Sequence, residues 1–269
     1  MSNGYLRLIR DTLEEEHIYD ELPDKAIHKL SYLVSDRLEE RGMEAAIPYF
    51  WYRYGVLTQQ LMPSGTEAPS SQLTRDEEVL LNQVTNSVLD DYYDSTLEEI
   101  TDLTYRDAPY DTFRHWRELD KQISGLQGSY NPFFDNTPIR NEIEEKIERV
   151  YDSFPNSEFP HHESDLSNWY FMMTRELDMD LENIQRLQDI NTTFWEIFTL
   201  SVAEKHNYNM TVQEVQEVLG IQSFETERRK RREKLSTLGR RGLEDRFNGG
   251  NSDLNATTDA MIEPILESF

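Results

Sequence analysis

Cysteine is absent from the 269 residues, which excludes disulfide staples, thiolate catalysis and any Cys-ligated zinc or iron–sulfur site. Lysine is scarce: Lys25, Lys29, Lys121, Lys146, Lys205, Lys230 and Lys234 are the seven among 27 basic residues, and the other 20 are arginine. No run approaches the roughly 18 apolar residues of a membrane span. The opening Met1-Ser2-Asn3-Gly4 lacks the basic-then-apolar order of a signal peptide. The expectation is a cytoplasmic chain without a membrane partner. There is also no phosphate-cradling glycine loop and no Gly-x-Ser-x-Gly elbow, so no cofactor and no enzymatic activity are expected.

Acid is what the chain has in surplus. Asp and Glu number 52 against the 27 Lys and Arg, a formal net charge of -25. In dilute buffer that charge repels itself and loosens the compact state. In molar salt the Debye length falls to roughly 3 Å, and the carboxylates become a hydrated skin at little electrostatic cost. Arginine, more weakly hydrated than lysine and able to pair bidentately, suits such a medium. The composition implies the cytoplasm of an extreme halophile. A hydrophobic content of 37% still supports a packed interior.

Helical spacing dominates the pattern. Ile27, Leu30, Val34 and Leu38 recur on one face from Asp24, and Arg41-Gly42 offers a basic last turn with a glycine stop. Residues 47–55 are dense in aromatics without a helical period and predict a short strand of edge type. Residues 63–71 read as a loop. Thr74 with Glu77 has capping-box spacing before Leu81, Val84, Val88 and Tyr92, and Ser95 with Glu98 predicts a second box. A helix from Asp111 buries Phe113, Trp116, Leu119 and Ile123, after which residues 124–136 read as a linker. Thr137-Pro138 predicts a helix start carrying Ile139, Ile143, Ile147 and Val150. Residues 165–207 read as a long helical stretch broken near Asp178, its many aromatics assigned to core packing. The expected organisation is a domain over residues 1–123, a linker at 124–136, an all-α region over 137–246 and a mobile tail over 247–269. The fold class is mainly α with a minor β element.

Three segments, in order, resemble the Panacea-type antitoxin domain, a helical module with a small β-element. They are Lys29-Leu30-Ser31-Tyr32-Leu33, similar to the family's opening Lys-Leu-x-Tyr-Leu helix; Trp51-Tyr52-Arg53-Tyr54-Gly55, similar to its aromatic–basic–Tyr-Gly-Pro strand and turn; and Ile100 to Tyr110, resembling a late Leu-Thr-His…Pro-Trp segment. Val56 replaces the usual proline, and Tyr105 stands where a histidine is common. The resemblance covers residues 24–120. It implies a binding antidote or adaptor whose partner is a protein, a toxin in that family. The partner-interface residues expected on this basis are Tyr49, Trp51, Arg53, Tyr54, Gly55, Thr104 and Asp107. Large rigid aromatics beside a strand are also ordinary ingredients of a protein interface.

Residues 225–246 reverse the charge of the whole, with nine basic residues against five acids. Upstream, Thr211 to Ile221 resembles the first helix and glycine turn of a helix-turn-helix, which would make the basic segment a recognition helix using Arg228, Arg231, Arg232 and Arg240. Gln216, Thr226 and Arg229 fall where that motif needs small or apolar residues, and molar salt removes most of the counterion-release gain in DNA affinity. Nucleic-acid binding by residues 211–238 is therefore the alternative function. A metal-dependent enzyme is a weaker one, resting on Glu14 with His17, or on His161, His162, Glu163 and Asp165.

Overall fold

The computed structural model describes residues 24–43, 47–58, 73–129, 136–178 and 184–248, with Leu6, Leu8, Ile9 and Thr12 besides. Of these, 78% are helical and one small antiparallel sheet has three strands, so the protein is mainly α with a minor β element. Glu14, His17, the loop at 63–71 and the tail beyond 248 lie outside the described residues.

The chain divides into two compact units that interleave along the sequence. One comprises residues 1–108 and 199–224, the other 109–198 and 225–269. The first unit is built on α1 (Asp24–Glu40), α2 (Arg75–Tyr92) and α3 (Leu97–Thr104). Ile27, Leu30, Val34 and Leu38 point inward from α1 as their spacing requires, against Leu81, Val84 and Val88 of α2 and Ile100 of α3. Helix α1 stops at Gly42, where φ is +77°. Helix α2 begins with the predicted capping box: the Thr74 hydroxyl accepts from the Glu77 N–H, and the Glu77 carboxylate accepts from the Thr74 N–H at 2.7 Å. The second box is displaced by one residue, to Thr96 and Glu99. The Ser95 N–H still closes the preceding turn on the Tyr92 carbonyl, so the first residue in an extended cap conformation is Thr96.

Strand β1 (Tyr49–Tyr52) pairs with β2 (Gly55–Thr58) through the two-residue turn Arg53-Tyr54, so Gly55 opens a second strand instead of ending the first. On its other side β1 pairs with β3 (Asn207–Tyr208), which begins where the sequence pattern places the end of a helix, near Asn207. The order β2-β1-β3 makes β1 the middle strand, and the edge assignment is corrected. Phe50 and Trp51, adjacent in β1 and so on opposite faces, are both buried, which means both faces of the sheet are covered. Trp51 and Val56 share the face toward α1, while Phe50, fully buried, packs with Leu200, Ala203, Val215 and Phe224. Burying Phe50 contributes about 2 kcal/mol. Leu200 and Ala203 belong to α7 (Ile184–Lys205), and Val215 to α8 (Val212–Leu219), which ends at Gly220 in the left-handed conformation.

The second unit contains α4 (Asp111–Ser129), α5 (Thr137–Asp152), α6 (Glu163–Asp178), α7 up to Phe198 and α9 (Phe224–Asn248) beyond its first residue. Helix α4 runs through 124–129, which the sequence reading gave to a linker. Leu126, buried, extends the stripe of Leu119 and Ile123 and outweighs the glycine at 125. The aromatics of the long helical stretch fill this core, with Trp116 stacked on Trp195 at 4.5 Å and Trp169 on Phe194 at 5.0 Å.

Candidate functional site

Within the first unit, the three sequence segments meet at the Arg53-Tyr54 turn. Lys29, buried in α1, donates its ammonium to the Tyr54 carbonyl at 2.7 Å. The Tyr105 hydroxyl donates to the Arg53 carbonyl at 3.2 Å. Tyr32 sets its ring edge-on to Trp51, 5.8 Å between centroids. His28 fixes the far end of β2, its Nδ1 accepting from the Thr58 N–H at 3.2 Å. Each carbonyl of the turn thus has a side-chain donor from a different helix or turn, which satisfies backbone oxygens that the ladder cannot reach.

The turn presents Tyr54 to solvent, 42% exposed, with its ring between Lys25 Nζ at 4.0 Å and the Arg53 guanidinium at 4.7 Å. Two cations on one ring hold it in place. Of the expected interface residues, Tyr49, Arg53, Tyr54 and Asp107 reach the surface. Trp51, Gly55 and Thr104 do not. Thr104 is fully buried and donates its hydroxyl to the Thr101 carbonyl. Gly55 has φ +91°, and a Cβ there would lie 3.0 Å from the Tyr105 ring. Gly55→Ala should cost about 1–3 kcal/mol through this strain, visible as a lowered denaturation midpoint.

In the second unit the basic helix turns part of its charge inward. Arg232 forks onto Asp165, with Nε and Nη2 2.8 to 2.9 Å from its oxygens, and the Nδ1–H of the buried His162 donates to the same carboxylate at 2.8 Å. Arg231 bridges Glu196 and Glu227, each at 3.0 Å. Arg175 and Glu176, both buried, lie where α9 passes with Gly239 and Gly242. Arg228 is half-buried, and Arg229, Lys230, Lys234, Arg240 and Arg241 form the exposed face. Two of the four arginines expected to meet nucleic acid, Arg231 and Arg232, are therefore committed to carboxylates of their own unit, and Arg240 faces solvent.

Burial alone would raise the Asp165 carboxyl, but hydrogen bonds from His162 and Arg232 outweigh it and hold the group below the usual aspartate range. Burial holds His162 below the usual histidine range, against the pull of Asp165. A buried neutral histidine stabilises the fold fully above about pH 6.5 and progressively less as pH falls below it, because the unfolded chain takes the proton first. An NMR titration should show the His162 ring taking up its proton at a lower pH than an ordinary histidine does.

With both Asp165 oxygens so engaged, the His161-His162-Glu163 segment does not assemble a ligand set. Among the described residues no group of three or more His, Asp or Glu is placed to hold a metal. An open groove of about 410 Å³ lies along α4 and α5, lined by Glu118, Lys121, Gln122, Leu126, Ile139 and Lys146. Among the described residues no helix is long and apolar enough to cross a membrane.

The sequence reading missed Tyr208, which stacks on Tyr49 at 4.5 Å. Its one local signal is Asn209 at φ +54°, a residue type that tolerates a left-handed turn and so ends the short strand. Compared with family models, curated proteins and solved structures, the chain finds no match.

Proposed function

We propose that the protein is a non-catalytic antitoxin or adaptor of a toxin–antitoxin-like pair, acting by protein binding in the cytoplasm of a halophile. One observation supports the reading. The segments that carry the family resemblance, distant in sequence, converge on one exposed turn whose carbonyls are held by Lys29 and Tyr105. A fixed aromatic at a rigid turn loses little entropy on binding.

The test is co-expression with the product of each flanking reading frame. One such product should arrest growth alone and be neutralised by this chain. Tyr54→Ala should weaken capture by about 2 kcal/mol or more, roughly thirtyfold. If no flanking product is toxic, or if Tyr54→Ala neutralises as well as the parent, the reading fails. A second reading, nucleic-acid binding by α9, is favoured only by its exposed face, and would use Arg229, Arg240 and Arg241 in place of Arg231 and Arg232. A footprint on duplex DNA at molar salt, lost on Arg240→Glu, is its expected signature.

A further inference from the structure

A corner of three phenols opens beside the sheet in the first unit. The antiparallel register sets Tyr49 opposite Tyr208, so both rings project from one face and stack, 4.5 Å apart and 19° from parallel. Tyr32 stands across them, edge-on to Tyr49 at 5.1 Å and 77°. Tyr208 is 46% exposed, so the stack is open to a ligand, whereas Tyr32 is only 7% exposed. Asp36 follows Tyr32 by one helical turn on the same face of α1. Asp107 closes the short 3₁₀ turn that Tyr105 ties to the Arg53 carbonyl.

Asp36 acts on Asp107, and both act on the buried phenol. Both lie above the usual aspartate range, first through desolvation; Asp107 is raised further by the charge of Asp36 and Asp36 by Glu40, against the smaller opposing pull of Arg106 and Arg37 respectively. Tyr32 is raised by burial and then by Asp107, with Asp36 among the lesser causes. Elsewhere in the chain Asp91, Asp165, Glu176 and Glu196 each meet an arginine. Among the described residues, none forms an ion pair with Asp36 or Asp107. A partly exposed aromatic stack beside two carboxylates that form no ion pair among the described residues matches a cation that is both planar and a multiple donor.

We propose that Tyr32, Tyr49, Tyr208, Asp36 and Asp107 form a receptor for an arginine side chain presented by a basic partner protein. A guanidinium can lie against the exposed rings while its fork reaches the carboxylates and the Tyr32 oxygen. An ammonium, as a compact point charge, satisfies one of these demands at a time. Phosphate is repelled by the two aspartates and by the -25 background, so the partner is a protein and not a nucleic acid. The inference rests on the reading above that this chain captures a protein, and it supplies the chemistry of that partner.

The probe is acetyl-Gly-Arg-Gly-amide, titrated into the full chain carrying ¹³C-labelled tyrosine rings, in about 1 M potassium chloride to screen the general attraction of an acidic protein. Its lysine counterpart is titrated in parallel. The signals of Tyr32, Tyr49 and Tyr208, assigned from single Tyr→Phe variants, should shift together. The arginine peptide should bind at least about fivefold tighter than the lysine peptide. The double variant Asp36→Asn/Asp107→Asn should weaken binding about tenfold. Both residues are exposed, so the variant keeps its fold. Removing two exposed carboxylates of the second unit, Glu144→Gln/Glu148→Gln, should change binding less than about twofold. Unmoved rings, equal binding of the two peptides, or equal weakening by both double variants would each overturn the receptor. A chain that binds the arginine peptide here but neutralises no flanking product keeps the receptor and loses the antitoxin reading. Full neutralisation by Asp36→Asn/Asp107→Asn does the reverse.

Discussion

Raising potassium chloride from about 0.1 M to about 1 M should raise the thermal midpoint of this protein by on the order of 10 °C. The Debye length contracts from roughly 10 Å to roughly 3 Å over that range, so repulsion among surface carboxylates of a -25 chain is largely switched off. Relief of about 3 kcal/mol is a modest fraction of such self-repulsion, and each kcal/mol moves the midpoint of a chain this size by about 2–4 °C. The buried pair of Arg175 with Glu176 is shielded from bulk ions and survives the added salt, so no loss there offsets the gain. A flat profile by calorimetry would contradict the halophile reading.

Arg232→Glu should be a strongly destabilising charge reversal on the basic helix. It places a carboxylate against Asp165 and leaves the His162 pair facing a second anion. Breaking a buried pair costs about 3–5 kcal/mol. The Arg232 side chain is 39% exposed, so solvent softens the loss to about 2–4 kcal/mol. Arg240→Glu, on the exposed face, should change stability by no more than about 0.5 kcal/mol. Denaturant unfolding at molar salt compares the two directly. If they behave alike, the inward-facing assignment of Arg232 is wrong. A basic helix whose strongest ion pairs serve its own unit is a structural element first, and any nucleic acid must be met by the residues left over.

Much of the helical architecture was legible because its signals are local. The stripe of Ile27, Leu30, Val34 and Leu38, the Thr74 capping box, and the burial of Phe113, Trp116, Leu119 and Ile123 all follow from periods of three and four residues. Where the local evidence was balanced, the reading slipped. Ser95 and Thr96 are equally good caps by type, and only the backbone turn at Tyr92 selects Thr96. Glycines at 125 and 128 signal a break, yet Leu126 has a core to enter and the helix continues. The β element was found, but not its neighbours, since strand pairing depends on partners far along the chain.

The sequence by itself determined the charge of the protein, its mainly helical class, the absence of cysteine chemistry and the identity of the three segments around the turn. These depend on composition and on contacts within a turn or two. Tertiary structure alone decided that β1 is a middle strand, that Trp51 and Thr104 are buried while Tyr54 and Asp107 are exposed, and that Arg231 and Arg232 face carboxylates. It also brought Tyr208 against Tyr49. A residue's type sets what it can pair with, but the choice among 52 acids and 27 bases, or among 14 tyrosines, is made by which chain segments the hydrophobic cores bring within a few ångströms of one another.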